Sequence, residues 1–176
     1  MTQERRSEPY NFILSRTSGL PPGSRALFLG KGHEKNAVLL AKIGIHVEVL
    51  DSSDKELLLV QKAASEANVF LITRHTRVEY WNLPHTYDVI ILGELPLPSA
   101  KHTYLFEKIL STLSPNGFFV GEMWIEDTQE ANQNSHEPYR FITLYSLFAN
   151  LPCKLLKINK ELRDGRYLMQ IVVQKT

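Results

Sequence analysis

Three short segments of this chain combine residue types and spacing suited to gripping a ligand that carries a ribose. The first is Gly30-Lys31-Gly32, which directly follows the apolar run Arg25 to Leu29. Glycines in such a place let the backbone take positive φ and approach a ligand closely. The second is Asp51, which closes the run Ile45 to Leu50 and falls 21 residues after Gly30 (51 − 30). A carboxylate there can accept hydrogen bonds from both hydroxyls of a ribose, and acidic residues at near this spacing do so in dinucleotide folds. The third is Gly93-Glu94-Leu95-Pro96, which leaves the apolar run Asp88 to Leu92. In an open parallel sheet all three face one crevice, beyond the carboxyl ends of the strands.

The elements that would hold these segments alternate. Arg25 to Leu29, Ile45 to Leu50, Val69 to Thr73, Asp88 to Leu92 and Phe118 to Met123 read as five strands. The continuous apolar character of Asp88 to Leu92 predicts burial on both faces. Between them lie helix patterns. Ala37, Val38, Leu40 and Ala41 form one stripe, ended by Gly44 as a C-terminal cap. A second helix starts from Asp51-Ser52-Ser53-Asp54, rich in N-capping side chains, and runs to about Ala67. A third spans Lys101 to Leu113 with Leu105, Phe106, Ile109, Leu110 and Leu113 inward. Strands and helices in this order imply right-handed crossovers and a parallel sheet. The end of the chain departs from it. Asp127 to Pro138 reads as loop, and Tyr139 to Asn150 as a helix with Phe141, Leu144, Tyr145 and Phe148 on one face. Lys154 to Leu162 and Arg166 to Val173 then form a hairpin around Asp164-Gly165.

Bulk properties narrow the class. With 176 residues, 43% of them apolar, the chain suffices for one compact core. We expect one domain over 1–176, with a leader and short helix at 1–24, a nucleoside-binding core at 25–123, and a helix and terminal hairpin at 124–176. A net charge of +1 argues against a nucleic-acid partner. The single cysteine, Cys153, excludes an internal disulfide and a cysteine metal cage. The polar start MTQERRSEPY and the lack of a long apolar run point to a cytoplasmic protein outside the membrane.

Which nucleoside ligand fits follows by elimination and then by resemblance. The dinucleotide fingerprint G-x-G-x-x-G fails, because its third place is Lys35, and no phosphate-cradling G-x-x-x-x-G-K-[ST] occurs. The terminal hairpin also suits a methyltransferase sheet better than a dehydrogenase sheet. Leu29-Gly30-Lys31-Gly32-His33-Glu34-Lys35-Asn36-Ala37, with Leu40-Ala41 and Gly44, resembles the first motif of class I S-adenosylmethionine-dependent methyltransferases. It is most similar to the small tellurite-resistance and thiopurine types. Val49-Leu50-Asp51-Ser52-Ser53, Leu83-Pro84 with Tyr87 to Ile90, and Leu113-Ser114-Pro115-Asn116-Gly117 resemble later motifs, and Glu8-Pro9 with Phe12 resembles the start. The resemblance implies a Rossmann-like, doubly wound, mostly parallel seven-stranded sheet ending in an antiparallel hairpin. It also implies S-adenosylmethionine as cofactor, S-adenosylhomocysteine as product, and a cofactor site at Gly30, Lys31, Gly32, Asp51, Ser52, Arg77, Val78 and Glu94. The family's acid two residues before the first glycine is Phe28 here, its third glycine is Glu34, and its usual Arg after it is Lys35. The first motif is therefore degenerate. Arg77 stands where many members place an acid near the adenine.

Methyl transfer asks a protein mainly for alignment and, for some acceptors, removal of a proton. Glu94 is the candidate for that proton, with a solvated loop acid as the plainer reading. Asp51 also reads as a helix cap, and Gly30-Lys31-Gly32 as a bare tight turn. His33 reads as a cofactor contact or a solvent-facing loop residue, and His102 as a base or, more simply, a surface or capping histidine. Trp81 reads as core, Trp124 as core or acceptor pocket, and Cys153 as a small buried filler. Two functions follow: methyl transfer to a small-molecule or soft-atom acceptor, or a non-catalytic fold that binds S-adenosylhomocysteine or a protein partner. A nucleotide-binding enzyme of another Rossmann type is the third and weakest.

Overall fold

The computed structural model describes residues 11–82, 84–95, 101–125 and 141–176. The expectations for Glu8 to Tyr10, Leu83, Pro96, the loop at 127–138 and Tyr139 lie outside them. The elements run α1 (Asn11–Thr17), β1 (Arg25–Leu29), α2 (Glu34–Lys42), β2 (His46–Asp51), α3 (Asp54–Glu66) and β3 (Ile72–His75). A single 3-10 turn at Val78–Tyr80 follows, then β4 (Tyr87–Leu92), α4 (His102–Thr112), β5 (Leu113–Ile125), α5 (Phe141–Ala149), β6 (Cys153–Arg163) and β7 (Arg166–Lys175). Seven strands form one sheet in the order β3-β2-β1-β4-β5-β7-β6. The first five are parallel to their neighbours, and β7 pairs antiparallel with both β5 and β6. The doubly wound sheet with its terminal hairpin is as the sequence predicts.

Alternation along the central strands explains why both faces are covered. In β1, Leu27 and Leu29 join one buried cluster with Ile90, Leu92, Phe106, Phe119 and Phe148. Ala26 and Phe28 join the other, with Leu40, Val49, Val60 and Ile91. The inward residues predicted for α4 are all buried. Phe106 anchors the first cluster, its ring 5.6 Å from Phe119 and 4.8 Å from Phe148. Rings at these separations contribute beyond their buried area. On α5, Leu144 and Phe148 are buried while Tyr145 stands 46% exposed, so the predicted apolar face is narrower than its spacing.

Turn chemistry sets the ends. Gly44 takes φ +87° and its amide donates to the Ala41 carbonyl at 3.1 Å, closing α2 as expected. Asp164 and Gly165 both have positive φ, at 53° and 76°, the backbone that a two-residue hairpin turn needs. The third strand starts later than its apolar content predicts, at Ile72 instead of Val69. The reason is that the Val69 amide donates to the Ala64 carbonyl and is spent in closing α3. Phe70, left between helix and strand, is 84% exposed. The turn predicted at Ser114 to Gly117 sits inside β5 as an irregularity, between the Tyr87–Leu113 and Val89–Phe118 pairs.

Replacing Phe106 by Ala leaves a cavity at the meeting point of three rings and should cost about 3–5 kcal/mol. Phe70→Ala should change stability by less than about 0.5 kcal/mol. Urea denaturation of both variants checks the pair.

Candidate functional site

The site forms where β1 and β4, the two central strands, run out side by side. The Gly93 amide donates to the Leu29 carbonyl at 3.1 Å, and one step on the Lys31 amide donates to the Glu94 carbonyl at 3.0 Å. Gly30 and Gly32 have φ of 84° and 83°, which residues with a side chain rarely adopt. A Cβ on Gly30 would lie 2.6 Å from the Glu94 carbonyl oxygen. Gly30 therefore meets both requirements for glycine, a left-handed backbone and a close approach. Its own amide donates to the Leu50 carbonyl at 3.4 Å, which ties the turn to the end of β2.

Asp51 ends β2 with 7% of its surface exposed. Its Oδ1 accepts from the Ser53 amide at 2.7 Å. The N-cap of α3 is Ser53, whose hydroxyl accepts from the Glu56 amide at 3.4 Å. The capping task thus falls to Ser53, and Asp51 is held as a buried strand-end carboxylate. The Asp51 carbonyl accepts from the Thr76 amide at 3.1 Å, so the segment holding Arg77 and Val78 is hung from the same strand end.

The structure brings Gly30, Lys31 and Glu94 into contact, with Asp51 and Ser52 at the neighbouring strand end. Arg77 and Val78 stand further out. Val78 packs into the core cluster with Leu50 and Trp81. The Arg77 guanidinium turns to Glu79 at 3.4 Å and lies over the Tyr80 ring. Glu79 also takes the Lys101 ammonium at 2.7 Å, and that bond, more than Arg77, holds its carboxyl below the ordinary range. The Glu94 side chain is exposed. Trp81 is core, as expected, and Trp124 carries Arg166 over its ring at 4.5 Å. Cys153 is half-buried and its Sγ faces the Phe148 carbonyl.

Both histidine expectations need correction. His102, the first residue of α4, is 4% exposed and so is not a surface residue. His33 is 1% exposed because α2 turns it inward beneath the loop instead of out to water. Its ring packs against Phe28 with centroids 5.0 Å apart, and Nε2 donates to the Leu29 carbonyl at 3.0 Å. It fills the space over Gly93, where a Cβ would meet the ring at 2.6 Å. Phe28 and His33 thus order the loop by packing at the place where the resemblance leads one to expect a carboxylate. Burial holds the imidazole neutral, with its pKa lowered to about 4. Asn36, one turn into α2, is equally buried, and neither its Nδ2 nor its Oδ1 has a partner among the described residues. Sequence reasoning passed over Asn36 and the need for glycine at 93. The signal available was a histidine in the glycine turn and a second glycine at the end of the adjacent strand.

Neither a protein-family model nor a curated protein matches this sequence. Solved structures do match. TehB from Haemophilus influenzae superposes with a TM-score of 0.82 at 13% identity, over 97% of this chain and 63% of its own. The [4+2]-cyclase SpnF gives 0.78 at 14% identity, over 94% and 78%. Magnesium protoporphyrin IX methyltransferase (ChlM) from Synechocystis PCC 6803 with bound SAM gives 0.73 at 13%, over 94% and 76%. The chain has the class I methyltransferase fold. It spans less than two thirds of the length of TehB. Here the glycine turn after β1, the acid ending β2 and the end of β4 lie at the same end of the sheet.

The neutral, buried His33 makes stability depend on pH in a definite sense. An unfolded His takes up a proton near pH 6.5 and the folded one near 4, so the unfolded state binds more protons between those values. The contribution is intact above pH 6.5 and is lost as pH falls through that window. One pH unit of separation is worth about 1.4 kcal/mol, so the full loss is about 3 kcal/mol. Chemical denaturation of wild type and His33→Asn at pH 7 and pH 4 should show this difference in their pH dependence.

Proposed function

We propose that the chain is a cytoplasmic methyltransferase that uses S-adenosylmethionine and acts on a small-molecule or soft-atom acceptor. The observation that carries this reading is the pairing of Asp51 with the glycine turn. Asp51 is a buried carboxylate with one oxygen committed to Ser53, and the turn beside it is too tight for any side chain at Gly30. These residues fit the nucleoside half of the cofactor. The methionyl half falls to Gly32 and the first-turn amides of α2, which have no partner within the helix. Glu34 there adds a negative charge that the helix dipole favours. The bound ChlM cofactor supports the reading, and the cyclase SpnF is the reminder that a shared fold does not fix a reaction.

When bound, the cofactor supplies a methyl group activated on a sulfonium, which leaves as S-adenosylhomocysteine's thioether forms. The chain's own work is then binding and alignment. Asp51 accepts from the ribose hydroxyls, with Ser52 beside it. Lys31 and Gly32 would pass close to the ligand, and Arg77 and Val78 would stand toward its adenine end. Glu94, exposed at the end of β4, takes the proton that an O–H or N–H acceptor must lose. A sulfur, selenium or tellurium acceptor asks for no such base.

Calorimetric titration with S-adenosylhomocysteine tests the reading, with micromolar binding expected. Asp51→Ala should weaken that binding at least about tenfold, since charge-assisted hydrogen bonds are worth about 1.5–3 kcal/mol each. Glu94→Gln should leave binding unchanged and slow transfer to proton-bearing acceptors by about a hundredfold or more. Absence of binding at millimolar ligand would overturn the proposal and leave the fold serving another role, with protein partners as the next search.

A further inference from the structure

The turn that carries Asp51 is gripped from the neighbouring strand by His75. This residue ends β3 and is the register partner of Asp51. Its Nε2 lies 3.0 Å from the Ser52 carbonyl oxygen, and its Nδ1 lies 3.2 Å from Oδ1 of Asp54, at the start of α3. The Ser52 carbonyl and the Ser53 amide belong to one planar peptide unit. That amide donates to Oδ1 of Asp51 at 2.7 Å. The peptide plane is thus held on both sides, by His75 at its oxygen and by Asp51 at its hydrogen. Fixing the oxygen fixes the direction from which the hydrogen meets the Asp51 carboxylate, and with it where the second carboxylate oxygen points. A donor on the carbonyl also polarises the amide opposite and strengthens that bond.

Both partners of the ring are acceptors. A carbonyl and a carboxylate have no hydrogen to offer, and a neutral imidazole carries only one N–H. Only the imidazolium donates on both sides; in the neutral ring one nitrogen turns its lone pair toward an oxygen. The ionisable groups facing the ring are Asp51 from β2 and Asp54 from α3. Gln61, which α3 directs at Thr73 of the same strand at 2.7 Å, is neutral. The nearby cations are turned elsewhere, Arg74 to Glu48 and Arg77 to Glu79.

Resting on the reading of Asp51 as the ribose carboxylate, we propose that His75 is a positioning residue for it. His75 acts through the Ser52–Ser53 peptide and does so in its protonated form, so cofactor affinity falls as pH rises. Imidazole side chains change charge between about pH 5 and 8. The His75 and Asp54 side chains are 56% and 78% exposed, so water screens the pair and the effect is modest.

Calorimetric titration of the full chain with S-adenosylhomocysteine at pH 6 and pH 8 is the test, with circular dichroism to show each protein folded. Wild type should bind about two- to fivefold more weakly at pH 8, the worth of an exposed ion pair. His75→Gln has no charge to lose and should show no such difference between the two pH values. Asp54→Asn should also lose the difference but keep the tighter affinity at pH 8. Its side-chain amide can donate to Nδ1 of the neutral ring while the Nε2 hydrogen stays on Ser52. Ionisation of the ligand is common to all three proteins and cancels in the comparison. In the free protein, the Ser53 amide resonance in ¹H–¹⁵N NMR should titrate with the imidazole and stay fixed in His75→Gln. A purely structural role for His75 would lower affinity equally at both pH values, and that result would overturn the proposal while leaving the cofactor reading in place. So would a Ser53 amide that does not titrate in wild type. Wild type that fails to bind at either pH would overturn the cofactor reading and the role of His75 together.

Discussion

Between the ends of β1 and β4 there is room for backbone and nothing else. The Lys31 amide and Glu94 carbonyl are within hydrogen-bond distance, and an extra carbon on Gly30 would meet that carbonyl at 2.6 Å. This close approach decides the path of both loops. It sets the left-handed turn at Gly30, from which the chain enters α2 four residues later, at Glu34. It also forces His33 inward, into the space above Gly93. Side chains on either turn would part the two strands, and with them the two halves of the sheet that meet there.

Much of this was legible because it depends on local rules. The five parallel strands, the cap at Gly44 and the hairpin at Asp164-Gly165 follow from apolar runs and from residues that tolerate positive φ. Asp51 and the glycine turn were found by spacing alone, and the fold brings their strand ends side by side. The start of β3 was misplaced because Val69 looks like strand yet closes a helix. That choice is made by a hydrogen bond to Ala64, which apolar content does not encode.

The site was harder to read where burial contradicts residue type. A histidine between a glycine and an acid, Gly32-His33-Glu34, gives no sign that it will be 1% exposed. What buries it is the glycine sixty positions later, at the end of a strand adjacent only in the folded state. The same holds for Asn36. Its place on α2 belongs to the inward stripe, but the stripe was recognised through its apolar members. Arg77 was singled out from the resemblance, and a local competitor, Glu79, draws its guanidinium aside.

The two borders of the sheet are unlike each other. β6 is long, Cys153–Arg163, and carries Lys154, Lys157, Lys160 and Arg163 along its open side of hydrogen-bonding groups. Any strand arriving there from another molecule would have to strip water from several cations, which is how native edges resist such pairing. β3, the opposite border, has only four residues, opens on the exposed Ile72 and is preceded by the exposed Phe70. Intermolecular sheet growth in a concentrated or partly unfolded sample would accordingly begin at β3. Its brevity, in place of charge, is what protects the native protein on that side.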